Sequence, residues 1–488
     1  MEHPLRVAMV TSDPELPIEA LSLWWDDLPT DLAHADRPSP MADIACDVAI
    51  IGAGFTGLWT ALWLLRHQPE LKVCVFDSQV AGFGASGRNG GWLSALFPVA
   101  WERVAQQTNA STAVEFQRSL LRNVDDTLTT LREEGIDARA TKGGTITLAR
   151  TPRQVRKAHR HLAAMTHLGM SEVGTWHTAA ETHSMVRATS VFGSTVTPHC
   201  AAIDPARAVR GLAVAVERRG GIIHEHTSVT TIAPRRLRVS GAHGSHAVEA
   251  RHIVIATEAF STALAGRHRR LAPIYSLMLA TEPLAPAVWD DIGLAQRQTL
   301  TDERGLIIYA QRTADDRLAF GGRGAPYHFG SAIRTRFDRH GSIHQSLHRA
   351  MVELLPGVAQ ATVTHTWGGP IGIARDWWPT IEHDEATGIC FAGGYAGDGV
   401  GASHLAGRTL ADIILRRDTP RRRLPWVAHR SRAWEIEPLR WLGINAVRLA
   451  VSATDAVDRR SRASELWNAG VGSSSTQQRG DHQQTPRS

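Results

Sequence analysis

The sequence predicts an α/β fold built on a Rossmann-like parallel sheet, and three stretches carry that prediction. Residues 48–66, VAIIGAGFTGLWTALWLLR, pass from a β-branched run through a glycine turn into an apolar helical run. LKVCVFD at 71–77 supplies the next strand. Far downstream, FAGGYAGDGVGASHLAGRTLADII at 391–414 repeats the order strand, glycine turn, helix. Strand, helix and strand in this order close a right-handed parallel unit.

The 488 residues allow two or three domains at roughly 150 residues each. An apolar content of 43% can fill a large core, which excludes a disulfide-stapled mini-protein. The four cysteines, Cys46, Cys74, Cys200 and Cys390, form no CxxC pair. That excludes a zinc ribbon or a cluster on paired cysteines and fits a reducing cytoplasm. The net charge is +5, and the only lysines are Lys72, Lys142 and Lys157. One basic cluster, Arg416, Arg417, Arg421, Arg422 and Arg423, falls at an expected helix end, where the dipole favours positive charge. A nucleic-acid interface needs basic residues gathered on one element, so none is expected. The opening MEHPLRVAMVTSDPELP has no basic region followed by an apolar run. The longest uncharged stretch, 48–65, is broken by glycines, so no integral membrane segment and a cytoplasmic location are expected.

Residues 1–41 read as an arm rich in Pro, Asp and Trp, lying over a domain surface. A polar, Arg-rich helical region at 101–190 is interrupted by the strand GGTITLA at 143–149. In IDPARAVRGLAVAVERRGG at 203–221, Asp204 suits the N-cap, Pro205 the first turn and Gly220–Gly221 the stop. Strands follow in IIHEHTSV, RLRVS, HIVIAT, YSLMLATEP, GLIIYAQRT and RLAFGGR, then a helix near 343–355 and the strand GICFAGG. Residues 419–469 are aromatic and Arg-rich and are expected to pack back on the body. Residues 470–488 hold one aliphatic and no aromatic side chain and are expected to be disordered.

Gly52, Gly54 and Gly57 form GxGxxG between strand and helix, with Phe55 and Thr56 opening the helix. The glycines permit the tight turn, approach of a pyrophosphate, and close helix–strand packing. The pyrophosphate then meets the positive helix end. Asp77 ends the second strand, 20 residues after Gly57, where a carboxylate takes ribose hydroxyls and repels a 2′-phosphate. The segment VAGFGASGRNGGW at 80–92 carries five glycines with Ser86, Arg88 and Asn89, enough N–H groups to wrap a long ligand. A plain NAD domain proceeds at this point to its next helix. The second turn, at 394–401, aims a helix dipole at an electron-rich ring. Together these favour FAD over NAD.

The stretches DVAIIGAGFTGLWTAL, FGASGRNGG, AIDPARAVRGLAVAVERRG, HTSV, IVIAT and FAGGYAGDGVGASHLAGRTLADII resemble the FAD-dependent amine and D-amino-acid oxidase family. The arm SLWWDDLP and the tail PWVAHRSRAWEIEPLRWLG resemble its γ-glutamylputrescine oxidase-like branch. The resemblance implies a discontinuous FAD-binding domain of glutathione-reductase type at 42–100, 195–272 and 360–418. It leaves a mixed-sheet α+β substrate domain at 101–194 and 273–359. It implies that Gly52, Gly54, Phe55, Thr56, Gly57 and Asp77 hold the ADP half, with the Val229 backbone at the adenine. Ser86, Gly87, Arg88, Asn89 and Gly90 would run along the pyrophosphate and flavin, while Thr257, Gly394, Gly399, Val400 and Gly401 complete the cradle. Some relatives tether the flavin through a histidine where this chain has Arg88, and Cys390 lies in the strand before the turn, so non-covalent FAD is expected. Sarcosine-oxidase-like relatives place a lysine over the flavin, and the matching residue here is Ala319.

The implied chemistry is oxidation of a C–N bond in a small amine or amino acid. Hydride passes to flavin N5 and the imine then hydrolyses. Oxygen is the expected acceptor. The alternatives are a dehydrogenase serving a quinone or carrier, a non-catalytic FAD-binding protein, or a plain NAD dehydrogenase. For substrate binding the candidates are Tyr309, Arg312 and Arg323, since an arginine fork can clamp a carboxylate. His365 and Trp367 stand as flavin-edge or core residues, Asp398 as an ammonium partner or a turn cap, and His404 as structural. No HExxH or similar spacing occurs among the 24 histidines, so no metal is expected.

Overall fold

In the computed structural model, residues 5–6, 17–264 and 266–474 are described. Two large sheets organise them. The first has nine strands. At its centre Ile44–Ile51 pairs in parallel with Val73–Phe76 on one side and with Gly244–Ile255 on the other. Ile222–His224 and Ile389–Gly393 extend the parallel part. The long strand Gly244–Ile255 also pairs antiparallel, through its first half, with Arg236–Gly241. The strand residues facing the helices are Val, Ile and Ala with Cys390, as a sheet covered by helices requires.

Helix α1 (Phe55–His67) leaves the first strand through the glycine turn, and every residue from Phe55 to Leu65 is buried. Burial on all sides follows from its place between the sheet and further helices. Each large apolar side chain so enclosed contributes roughly 1.5–3 kcal/mol. Helix α2 (Ala110–Glu133) is capped by Asn109, whose side chain accepts from Thr112 N. Helix α3 (Pro205–Arg218) begins as the sequence predicts: the Asp204 carboxylate accepts from Arg207 N at 3.1 Å, and Pro205 opens the helix. Helix α4 (Gly399–Ile414) packs on α1 and α2. Helix α5 (Leu439–Ser474) runs along the outside.

The second sheet has eight strands in the order Val363–Ala374, Leu271–Thr281, Leu318–Arg323, Ile308–Arg312, Thr299–Asp302, Thr145–Ala149, Gly193–Thr197 and Thr175–Thr178. It is mixed, with Thr299–Asp302 parallel to Thr145–Ala149. Two of its strands lie across the expected segments. Val363–Ala374 was expected within the FAD segment, yet it pairs along Leu271–Thr281. Gly193–Thr197 likewise belongs here, against Thr145–Ala149. After Ala374 the chain crosses to Thr380–Asp384 of the first sheet.

The arm is fastened rather than draped. Its short helix Leu23–Asp26 buries Leu23, Trp24 and Trp25. The Arg37 guanidinium reaches Glu225 at 2.9 Å, and Glu225 also receives Arg210 at 2.6 Å, all three buried. Losing Glu225 would leave the Arg210 charge buried without a carboxylate. Residues 1–4 and 7–16 of the arm lie outside the described residues. So does the expected disordered tail from 475 onward, while 470–474 continue α5. Trp426 and Trp434 in the extension are buried on the body.

Candidate active site

The glycine turn places the N-terminus of α1 at the edge of the parallel sheet. A Cβ on Gly57 would lie 2.0 Å from Gly52 O, so helix and strand can approach only with glycine there. Gly54 differs: a Cβ there would meet only Ser86, at 2.9 Å from its Oγ, and otherwise faces open space. The first-turn N–H groups have no acceptor within the helix. Asp77 closes the rim, accepting from Ala53 N at 2.8 Å and Gln79 N at 2.9 Å. Burial pushes its carboxyl up to about 6. Ser86 Oγ accepts from Phe55 N at 2.9 Å, which ties the second glycine loop to the first. The Thr257 hydroxyl, beside Gly52, is buried without a partner. An open glycine at a helix N-terminus, an acid at the strand end and an unpaired hydroxyl between them fit the phosphate and ribose groups of a dinucleotide. Val229 lies two residues beyond Thr227, whose N–H donates to Asp77 O.

The loop at 84–91 is gripped from outside. Trp24 Nε1 donates to Asn89 O at 2.8 Å, Trp367 Nε1 to Arg88 O at 2.9 Å, and Ser22 Oγ to Gly87 O at 3.0 Å. The Arg88 side chain does not run along the loop's inner side. It is buried against Asp338, 2.7 Å away, and reaches Gly368 O at 3.3 Å. Asn89 holds its own loop, donating to Ala85 O and Ser86 O and accepting from Gly91 N. These side chains hold the loop largely through its carbonyl groups.

The third turn follows strand Ile389–Gly393. Glu258, half-buried, accepts from Gly394 N at 2.8 Å and Tyr395 N at 3.3 Å, and desolvation pushes its carboxyl up to about 7. Thr56 donates to the Tyr395 hydroxyl at 3.1 Å, joining the α1 start to this turn. Gly399, Val400 and Gly401 form the first turn of α4, and Asn123 Nδ2 on α2 donates to Gly401 O at 2.8 Å. His404 is structural: Nδ1 lies 2.7 Å from Asn123 Oδ1, and burial holds its pKa well below 6.5. Asp398 precedes α4 but makes no capping hydrogen bond. Burial raises its carboxyl to about 6, against the opposing pull of Arg323.

The second sheet roofs these turns. Strand alternation puts Tyr309 and Gln311 on the face toward the glycine loops. Tyr309 shares a 2.8 Å hydrogen bond with Ser276 Oγ and packs edge-on to Trp92. Gln311 Nε2 donates to Gly90 O at 2.9 Å, while its Oε1 is buried without a partner. Arg323 shares this face, donates through Nη2 to Ala396 O at 2.6 Å, and lies over the Trp377 ring. Trp367 belongs to the same face, buried against Trp24 and Met278. Ala319 is buried in that cluster. His365 is farther along the strand, paired with Asp26 of the arm at 3.0 Å.

Arg312 is a correction. It is three residues from Tyr309 and therefore projects from the opposite face. There it pairs with Asp316 at 2.6 Å and covers the Trp289 ring. The sequence reading also missed Glu258, Ser276 and Tyr395. Glu258 directly follows HIVIAT and Tyr395 lies inside the glycine turn, so both carried a local signal, whereas Ser276 is brought in only by strand pairing. One further convergence has no local spacing at all. His252, His383 and Cys390, from three adjacent strands, place their ligand atoms within 4.8 Å of one another.

A family model described as DAO, FAD dependent oxidoreductase, matches residues 47–413. The probable oxidoreductase OrdL of Haemophilus influenzae is 27% identical over 384 residues, covering 76% of this chain and 83% of that protein. Gamma-glutamylputrescine oxidoreductase of Escherichia coli is 25% identical over 395 residues, covering 78% and 87%. Among solved structures, glycine oxidase from Geobacillus kaustophilus shares the fold, with a TM-score of 0.65 and 24% identity, covering 80% of this chain and 100% of that one. No helix among the described residues is long and apolar enough to cross a membrane. Matched across most of its length, the chain belongs to the DAO family, an FAD-dependent oxidoreductase with FAD as its cofactor.

Proposed function

We propose that the protein oxidises a C–N bond of a small amine that also carries an anionic group, with an amino acid as the simplest case. The observation that carries this reading is the pair Arg323 and Asp398. The Arg323 guanidinium from the roof bonds Ala396 O and lies near enough to the half-buried Asp398 carboxylate to favour its ionised form, while Asp398 makes no capping hydrogen bond. Such a pair is complementary to a zwitterion: Arg323 takes the carboxylate and Asp398 the ammonium.

The residues at 52–57, Asp77, 84–91, Thr257 and 394–401 would hold FAD without a covalent bond, with the Val229 backbone at the adenine. When bound, FAD supplies a hydride acceptor for the carbon beside the amine nitrogen. The chain's own residues bind, orient and manage protons. The ammonium must shed a proton before its lone pair can assist C–H cleavage. Asp398, ionised at neutral pH, stands beside it as acceptor. Tyr309, held by Ser276, and Gln311, held by Gly90 O, fix the roof above the substrate. Water then hydrolyses the imine product. The relatives named above, a gamma-glutamylputrescine oxidoreductase and a glycine oxidase, act on substrates of this kind, which supports the reading.

Oxygen is the acceptor in this reading. A dehydrogenase serving a quinone or carrier is the second reading, favoured by the absence of any lysine beyond Lys157 and by Ala319 on the roof. The test is a turnover panel of amino acids, their amides and the matching 2-hydroxy acids, run with oxygen and with a soluble quinone. Amino acids turned over with release of ammonia or a carbonyl product are expected. Turnover of hydroxy acids alone would contradict the reading, and reduction of the quinone without oxygen uptake would select the dehydrogenase.

A further inference from the structure

Helix α5 is built inside out. Between residues 441 and 457 no exposed residue is charged. Leu439, Leu442, Val447, Leu449 and Val457 are each more than half exposed. The exposed positions between them are glycine, alanine and threonine, with the edge of Trp441. At 100° per residue these positions sweep about half the helix circumference. The polar residues point the other way and bond to the body. Arg440 donates to His268 O at 2.8 Å, and Asn445 exchanges hydrogen bonds with the Tyr327 backbone. Arg448 donates to Gly324 O at 3.3 Å. Asp455 accepts from Gly305 N and Leu306 N, both at 2.8 Å. The helix is thus held by its polar face, and its apolar face is turned outward. Ile436 and Phe329 add exposed apolar surface at its start, where Gly330 N donates to Glu437.

We propose that this face docks the protein on an anionic lipid surface, with α5 lying in the plane of the interface. Three observations select lipid. The apolar arc is far wider than the two-position seam of a helix pair. The chain is net positive. Arg430 and Arg432 before the face and Arg459, Arg460 and Arg462 after it outnumber Glu435, Glu437, Asp458 and Glu465 in the same flanks by one. An anionic headgroup layer complements that charge. Residues 475–488 have no aliphatic or aromatic side chain with which to cover the face. Among the described residues no helix is long and apolar enough to cross a membrane, which agrees with docking at the surface.

The test uses the full-length, FAD-loaded protein and sucrose-loaded vesicles of phosphatidylcholine, with or without phosphatidylglycerol. The proposal expects co-sedimentation with the anionic vesicles, weakened by added salt. It expects at least ~10-fold weaker binding both to neutral vesicles and for the double variant Leu442→Glu/Leu449→Glu. Both positions are exposed, so the variant should keep its flavin spectrum; if it misfolds, Val447→Gln/Leu449→Gln makes the same comparison. Wild-type protein left in the supernatant with both vesicles would overturn the proposal, as would equal binding by the variants. A dimer that the variants split, without vesicle binding, would assign the face to a second copy instead.

Discussion

Asp398 sits at the start of α4 without capping it, and burial lifts its carboxyl to about 6. If the carboxylate holds the ammonium, activity falls as the pH drops through about 6, because the protonated form cannot pair. Asp398→Asn should lower kcat/KM by about 10–100-fold, remove that acid limb and leave the bound FAD unchanged. A pH–rate profile beside a flavin spectrum reads all three. His404 carries a stability prediction. Its folded pKa lies well below 6.5, so below that pH the unfolded chain takes up a proton that the folded chain refuses. Stability from this residue is present above 6.5 and lost as the pH falls. Relative to His404→Gln, the wild type should lose up to about 1.4 kcal/mol per pH unit below 6.5, read from denaturation curves at several pH values. At this scale the sequence was legible where the backbone itself makes the site, as at Gly57 and Asp77. It was not legible for Arg312, because one step of strand alternation decides which face a side chain joins.

The start of α1 is the element most open to test. Gly54→Ala adds a methyl into the space beside Ser86, and no other atom of the chain lies there to resist it. The fold should survive while FAD affinity drops by about 10–100-fold, seen by titrating the apoprotein and following flavin fluorescence. The arm helix Leu23–Asp26 offers a second test. Trp24 is buried and donates to Asn89 O, so Trp24→Ala should cost about 3–5 kcal/mol and loosen the glycine loop. Thermal unfolding with and without added FAD reports both effects. Helix ends with local signals, such as Asp204 and Pro205 opening α3, were plain in the sequence. Val363–Ala374, inside the expected FAD segment, pairs with Leu271–Thr281, which lies far away in the chain, and pairing leaves no local mark.

Across the whole molecule, three separate glycine turns converge beneath a roof sheet supplied by other segments. The turns were readable because each states its own geometry. The roof's contribution was readable only as strands, since Ser276, Tyr309 and Arg323 meet through register. Burial of the arm's tryptophans against the loop and roof, and the outward apolar face of α5, are properties of assembly that no short stretch encodes. The central claim is that this assembly oxidises an amine with FAD. The most direct measurement is the visible spectrum of the purified protein, mixed without oxygen with glycine, sarcosine, D-amino acids and γ-glutamylputrescine in turn. The account predicts a yellow protein whose flavin bands bleach with at least one of these amines and not with its 2-hydroxy acid counterpart. A colourless protein that takes up no FAD, or a yellow one bleached only by donors lacking an amine, would contradict it.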